Sequence, residues 1–145
     1  MILADALTYA KKYKPELVIN AATLTGAAAR AIGKYGIVAM EKDASQEMAS
    51  LKESGLRVHE RIAEFPFWDE YDELIKSEIG DIKNIGGPDA GMITAGKFLA
   101  HFTDYPFIHL DIAGPAFLEK KDSYRTAGGT GIGVRLLLDF LMHRK

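Results

Sequence analysis

The chain has 145 residues, 48% hydrophobic and 26% charged, which suits one soluble globular domain with a sizeable core. A net charge of -2 gives no general attraction to nucleic acid or to an anionic membrane, so neither partner is expected. The absence of cysteine excludes disulfides, thiolate metal ligands and a cysteine nucleophile and agrees with a cytoplasmic setting, and no apolar run reaches the roughly 18 to 20 residues of a membrane span.

The first stretch, "ILADALTYA", repeats Ile2, Leu3, Ala6, Leu7 and Ala10 at the three-and-four spacing of a helix packed by one face. Only Met1 precedes it, and no Ser, Thr, Asp or Asn is there to satisfy the first four N–H groups, so the sequence opens on a helix without a cap. Asp5 and Lys11 interrupt the stretch where a signal peptide would carry its apolar segment. "KYKP" stops the helix and "ELVIN" follows as a buried strand. "AATLTGAAARAIG" then passes from strand-type to helix-type composition, with Gly33 at the helix C-terminus. "GIVAME" reads as a second strand and "ASQEMASLKESG" as a helix closed by Gly55. "FWDEYDELIKSEI" predicts an amphipathic acidic helix and "GDIKNIGGPDAG" a strand running into a glycine-rich loop. "MITAGKFLAHF" predicts a helix with Met92, Ala95, Leu99 and Phe102 on one face, and "FIHLDIAG" is the clearest strand. Val134, Leu137, Leu138 and Leu141 make a terminal helix whose basic end suits its dipole. Helices alternating with short apolar strands predict a three-layer α/β fold, a mostly parallel sheet between helices, in which ligands gather beyond the strands' carboxyl ends.

Four groups of residues carry possible chemistry. Asn20, Thr23, Thr25 and Gly26 lie between a strand and a helix, where the main chain either contacts a ligand or simply makes a tight turn. Strand alternation puts His109 and Asp111 on one face, as a catalytic pair or as hydrogen-bonded structural groups. Gly129, Gly131 and Gly133 precede a helix, but their spacing is not that of a dinucleotide fingerprint. A stand-alone module holding a phosphate in the 128–133 loop is the rival reading. Glu60, Glu64, Asp69, Glu70, Asp72 and Glu73 read as solvated charge, and His59, His101 and His143 are too isolated to be ligands.

Taken in order, "ILADAL", "INAATLTGA", "DIKNIG", "TAGKFL", "HLDIAG" and "GGTGIGVRLLLDFL" resemble the C-terminal catalytic domain of the leucyl aminopeptidase family over nearly the whole chain. The resemblance implies a metalloaminopeptidase that releases N-terminal residues from peptides with two divalent ions, Mn or Zn, and that works as a cytoplasmic hexamer. In that family "ILADAL" directly follows the signature bearing two metal ligands and the catalytic arginine. Met1 takes the place of the signature's final leucine, so the family's arginine falls just before Met1. Residues 1–145 are therefore expected to be the C-terminal portion of the domain, starting just after that signature. On this reading the chain carries no metal ligand and no catalytic residue, binds no metal alone and is inactive alone. It supplies the substrate side: Thr23, Leu24 and Gly26 match main-chain substrate contacts, Ala113 and Ala116 the pocket for the N-terminal side chain, and Ile85 the next pocket. His109 and Asp111 match no family ligand.

Overall fold

A computed structural model describes residues 1–144. The apolar runs form a four-stranded sheet from β1 (Val18–Ala22), β2 (Ile37–Lys42), β3 (Ile62–Glu64) and β4 (Phe107–Asp111), in the order β1-β4-β2-β3. β1 pairs with β4 and β2 with β3 in parallel, while β2 and β4 are antiparallel. The sheet is thus mixed, with two of its three pairings parallel as expected. Helices α1 (Ile2–Ala10), α2 (Gly26–Ile32) and α4 (Gly91–Ala100) cover one face, and α3 (Ser45–Arg57) and α5 (Val134–His143) the other. Among the described residues no helix is long and apolar enough to cross a membrane.

Period-two alternation builds the two cores. Ile37, Ala39, Ile108 and Leu110 meet Met48 and Leu51 of α3 and Leu136 and Phe140 of α5. On the reverse face Phe107 packs with Ala4 and Leu7 of α1 and Phe98 and Leu99 of α4, while Val38 and Met40 pack with Ala28 of α2. Each large side chain buried here contributes about 1.5–3 kcal/mol. β4 lies between two strands and is buried throughout, which makes it the axis of the domain.

Several expected faces turn differently. Ile2 is 85% exposed and Ala6 is also exposed, because α1 packs through Ala4 and Leu7. Met1 stands at the cap position of α1 and makes no side-chain capping bond, as expected of a thioether; its carbonyl oxygen accepts from Ala4 N–H at 2.8 Å. Of the terminal helix's expected face, Val134, Leu138 and Leu141 are exposed while Leu136 and Phe140 are buried. α5 is apolar on most sides, so spacing alone does not single out the packed one. On α4, Leu99 is buried as expected, Ala95 is half-buried and Met92 and Phe102 are likewise only partly covered. α3 runs through Gly55 to Arg57 instead of closing there. A Cβ on Gly55 would stand 2.6 Å from the Glu60 carbonyl oxygen, so this glycine permits close approach and ends nothing.

The acidic segment forms only a 3-10 turn, Asp69–Ile75, and the expected strand after it is reduced to a single bridge between Lys76 and Ile82. Asp69 and Asp72 keep exposed carboxylates, as expected of solvated charge, and both also reach the buried Lys97 of α4, at 3.4 and 3.1 Å. β3 and the two-residue strands β5 (Phe117–Leu118) and β6 (Gly128–Gly129) are too short to leave a periodic signal.

The turn after β4 reaches α2 through a contact that tolerates no side chain. A Cβ on Gly114 would collide with the carbonyl oxygen of Gly33, the positive-φ residue that ends α2. Gly114→Ala is expected to cost about 3 kcal/mol in urea unfolding, the scale of an overpacked site. Gly129→Ala, where a Cβ meets nothing within 4 Å, is the control and should stay within about 0.5 kcal/mol of the parent.

Candidate functional site

Asp111 ends β4, and alternation turns its carboxylate toward the α1, α2 and α4 layer, where it is 1% exposed. A carboxylate so buried must be surrounded by donors. Its Oδ1 accepts from the backbone N–H of Leu24 at 3.2 Å, of Thr25 at 3.4 Å and of Ala113 at 3.1 Å, and its Oδ2 accepts from the Thr25 hydroxyl at 2.7 Å. The Thr25 oxygen in turn accepts from Ala28 N–H at 3.0 Å and caps α2. One side chain thus gathers the turn after β1 and the turn after β4. These lie at the carboxyl ends of two parallel strands, since Ala22 stands in register with Asp111.

A cleft of about 590 Å3 opens beside this junction, lined largely by apolar groups that include Met1, Leu24, Thr25, Ile85, Ala95 and Phe98. The structure therefore brings Leu24 and Ile85, which belong to distant segments of the chain, to the same hollow. Thr23 and Gly26 are exposed on either side of the two cleft-lining residues Leu24 and Thr25. Ala113 and Ala116 are half-buried and do not line this cleft; they sit in the turn behind Asp111, tied by the Ala113 amide and by an Ala116 N–H bond to the Ile112 carbonyl at 3.0 Å.

Met1 also borders the cleft. The resemblance uses it only to mark where the family's arginine would precede, yet Met1 borders the cleft together with Ile2 and is 72% exposed there. The uncapped start of α1 faces the same hollow as the 24–25 turn, and α1 reaches it because Ala4 and Leu7, one turn further on, are anchored against Phe98, Leu99 and Phe107. A thioether neither donates nor takes up a proton at ordinary pH, so Met1 adds apolar wall and no catalytic group.

The sequence did not single out the reach of Asp111 to a turn 86 residues away. It likewise missed Glu60, which is 2% exposed and is no solvated charge. The Glu60 carboxylate accepts from Gly133 N–H and Leu136 N–H, both at 2.9 Å, and from Arg135 Nε at 3.0 Å, capping α5 from outside the helix. This corrects the phosphate reading of the 128–133 loop. The N–H groups and positive dipole end that would hold a phosphate are already occupied by a protein anion.

His109 is fully buried, with Nδ1 2.8 Å from Asn20 Oδ1 and Nε2 without a partner. Burial pushes its pKa down to about 4, against an opposing upward pull from Asp111. It is a neutral structural group at neutral pH and makes no hydrogen bond to Asp111, so the two do not form a catalytic pair.

Among the described residues no three His, Asp or Glu side chains are grouped so as to hold a metal ion. The buried carboxylates of Asp111 and Glu60 are saturated by N–H and O–H donors. The side chains present here do not fit a two-ion centre.

Residues 1–138 match the cytosol aminopeptidase family, catalytic domain, and the chain belongs to this family. A probable cytosol aminopeptidase of Chlorobium phaeobacteroides is 49% identical over 144 residues, covering 97% of this chain and 28% of the relative. The chain therefore spans little more than a quarter of the length of such relatives. A mutant tomato leucine aminopeptidase superposes with a TM-score of 0.89 at 33% identity, over 98% of this chain and 27% of that one. The bottromycin maturation enzyme BotP in complex with Mn gives a TM-score of 0.89 at 30% identity, over 97% of this chain and 32% of that one.

The buried histidine makes stability depend on pH. Its folded pKa lies below the unfolded value, so the unfolded chain takes up the proton first and stability is lost as pH falls from 6.5 to about 4. At 1.36 kcal/mol per unit of pKa the loss is on the order of 3 kcal/mol. Chemical denaturation at pH 7 and pH 4 should show it, and His109→Gln should remove that part of the slope.

Proposed function

We propose that the complete polypeptide carrying these residues is an aminopeptidase that releases N-terminal amino acids from peptides by two-metal-assisted hydrolysis, and that these residues form the substrate side of its site. The observation that carries this reading is the convergence on Asp111 of the 23–26 and 113–116 turns, beside a cleft lined by Leu24 and Ile85. In a chain of this family, an apolar cleft bordered by exposed main chain suits a peptide: side chains enter the hollow while backbone groups meet backbone groups. Thr23, Leu24 and Gly26 hold the peptide main chain, Ala113 and Ala116 border the pocket for the N-terminal side chain, and Ile85 borders the next.

The two divalent ions, Mn or Zn, are held by side chains outside these 145 residues, and a manganese complex of a structural relative supports that choice of metal. The isolated chain is accordingly inactive. The complete protein is a cytoplasmic homo-oligomer, a hexamer as in the family it resembles, and takes neither nucleic acid nor membrane as partner.

Calorimetry with Mn2+ and Zn2+ and a leucine-anilide assay, run on the 145 residues and on the complete polypeptide, test this division. Tight binding and turnover are expected only of the complete polypeptide. Metal-dependent turnover by the 145 residues alone would overturn the division, and no turnover by either would overturn the function.

The pocket assignment has its own test in the complete enzyme. Ala116→Trp fills the space for the N-terminal side chain, so kcat/KM on leucine substrates should fall at least about tenfold further than on alanine substrates. Equal losses on both would remove Ala116 from the pocket.

A further inference from the structure

Asp111 does not line the cleft, yet it dictates which backbone atoms the 23–26 turn presents. A peptide group is planar and trans, so its C=O points opposite to its N–H. The Leu24 N–H is drawn inward to Asp111 Oδ1, which turns the Thr23 carbonyl outward. The Thr25 N–H is drawn to the same oxygen, which turns the Leu24 carbonyl outward. The next carbonyl, that of Thr25, is already taken by Ala29 N–H as α2 begins. Two successive carbonyl oxygens thus face away from the core, at exposed residues beside the cleft. Without the carboxylate the Leu24 and Thr25 N–H groups have no side-chain acceptor, and the anchors left around the turn, the Ala22 carbonyl accepting from Ile112 N–H, the Thr25 carbonyl accepting from Ala29 N–H and the Thr25 cap on Ala28, do not hold either N–H inward.

We propose that Asp111 is a positioning residue for peptide binding, its buried carboxylate holding the Thr23 and Leu24 carbonyl oxygens outward as acceptors for main-chain N–H groups of the substrate. The inference rests on the aminopeptidase reading above and adds to it the residue that shapes the acceptor pair. The Leu24, Thr25 and Ala113 N–H groups are donors only and all meet Oδ1, so removing the side chain leaves three backbone donors without an acceptor, whereas the Thr25 hydroxyl at Oδ2 can donate or accept.

The test is Asp111→Ala, which removes the acceptor oxygen, in the complete Mn2+-loaded polypeptide. KM for a leucine anilide is expected to rise about tenfold with kcat changed less than about twofold, the pattern of lost binding. Preference for leucinamide over leucine methyl ester as competing ligands, which differ in an N–H donor, should fall by about fivefold, an effect that loss of folded protein alone would not produce. An unchanged KM and an unchanged amide-to-ester ratio in the variant overturn this inference alone, whatever happens to its thermal stability. No anilide hydrolysis by the parent overturns the aminopeptidase reading and this inference with it. Hydrogen exchange on the parent provides an arm that needs no variant: the Leu24, Thr25 and Ala113 amides should exchange at least about 100-fold slower than unstructured amides. Exchange at unstructured rates would overturn the positioning role.

Discussion

The arrangement of the candidate site depends on one buried carboxylate. Asp111 stands at the end of the most buried strand of the sheet, and an anion in that place is tolerated only because donors surround it. Those donors come from two turns far apart in sequence, so the need to solvate one charge becomes a fixed relation between the turn after β1 and the turn after β4. Thr25 extends the constraint by one further bond, since the hydroxyl that donates to Asp111 also caps α2. The entry angle of a helix and the edge of a cleft are therefore set by the same side chain.

Glu60 repeats this device on the opposite side of the domain. It closes the start of α5, whose own N-terminal residue is a left-handed glycine with no side chain to offer. In both places a buried anion organises backbone N–H groups of a distant segment, Glu60 capping α5 directly and Asp111 acting on the start of α2 through Thr25. The consequences for function differ. At Asp111 the organised turn faces an open apolar cleft, whereas at Glu60 the glycine loop is already occupied and its resemblance to an anion site is only local.

Exposed apolar residues on α1 and α5 complete the picture. Met1 and Ile2 line the cleft, and Leu138, Leu141 and Met142 lie on the outer side of the last helix. The chain spans 28% of the length of a curated relative that it matches.

The amino-acid sequence by itself determined the layers and most of the elements, because alternation in "FIHLDIAG" and "GIVAME" and helical spacing elsewhere are local properties of contiguous residues. It also carried the family, through ordered motifs whose residue types are specific enough to recognise without coordinates. What it left open was each decision made by a distant partner. Whether Asp111 and His109 form a pair, which face of α5 is packed, whether Met1 borders the cleft and whether the 128–133 loop is free all turned on residues remote in the chain: the 24–25 turn, α3, the α4 anchor of α1 and the Glu60 carboxylate. Only the tertiary structure settles these, because burial creates the demand for a donor or for space while the sequence position of whatever meets that demand is set by how the chain crosses the sheet.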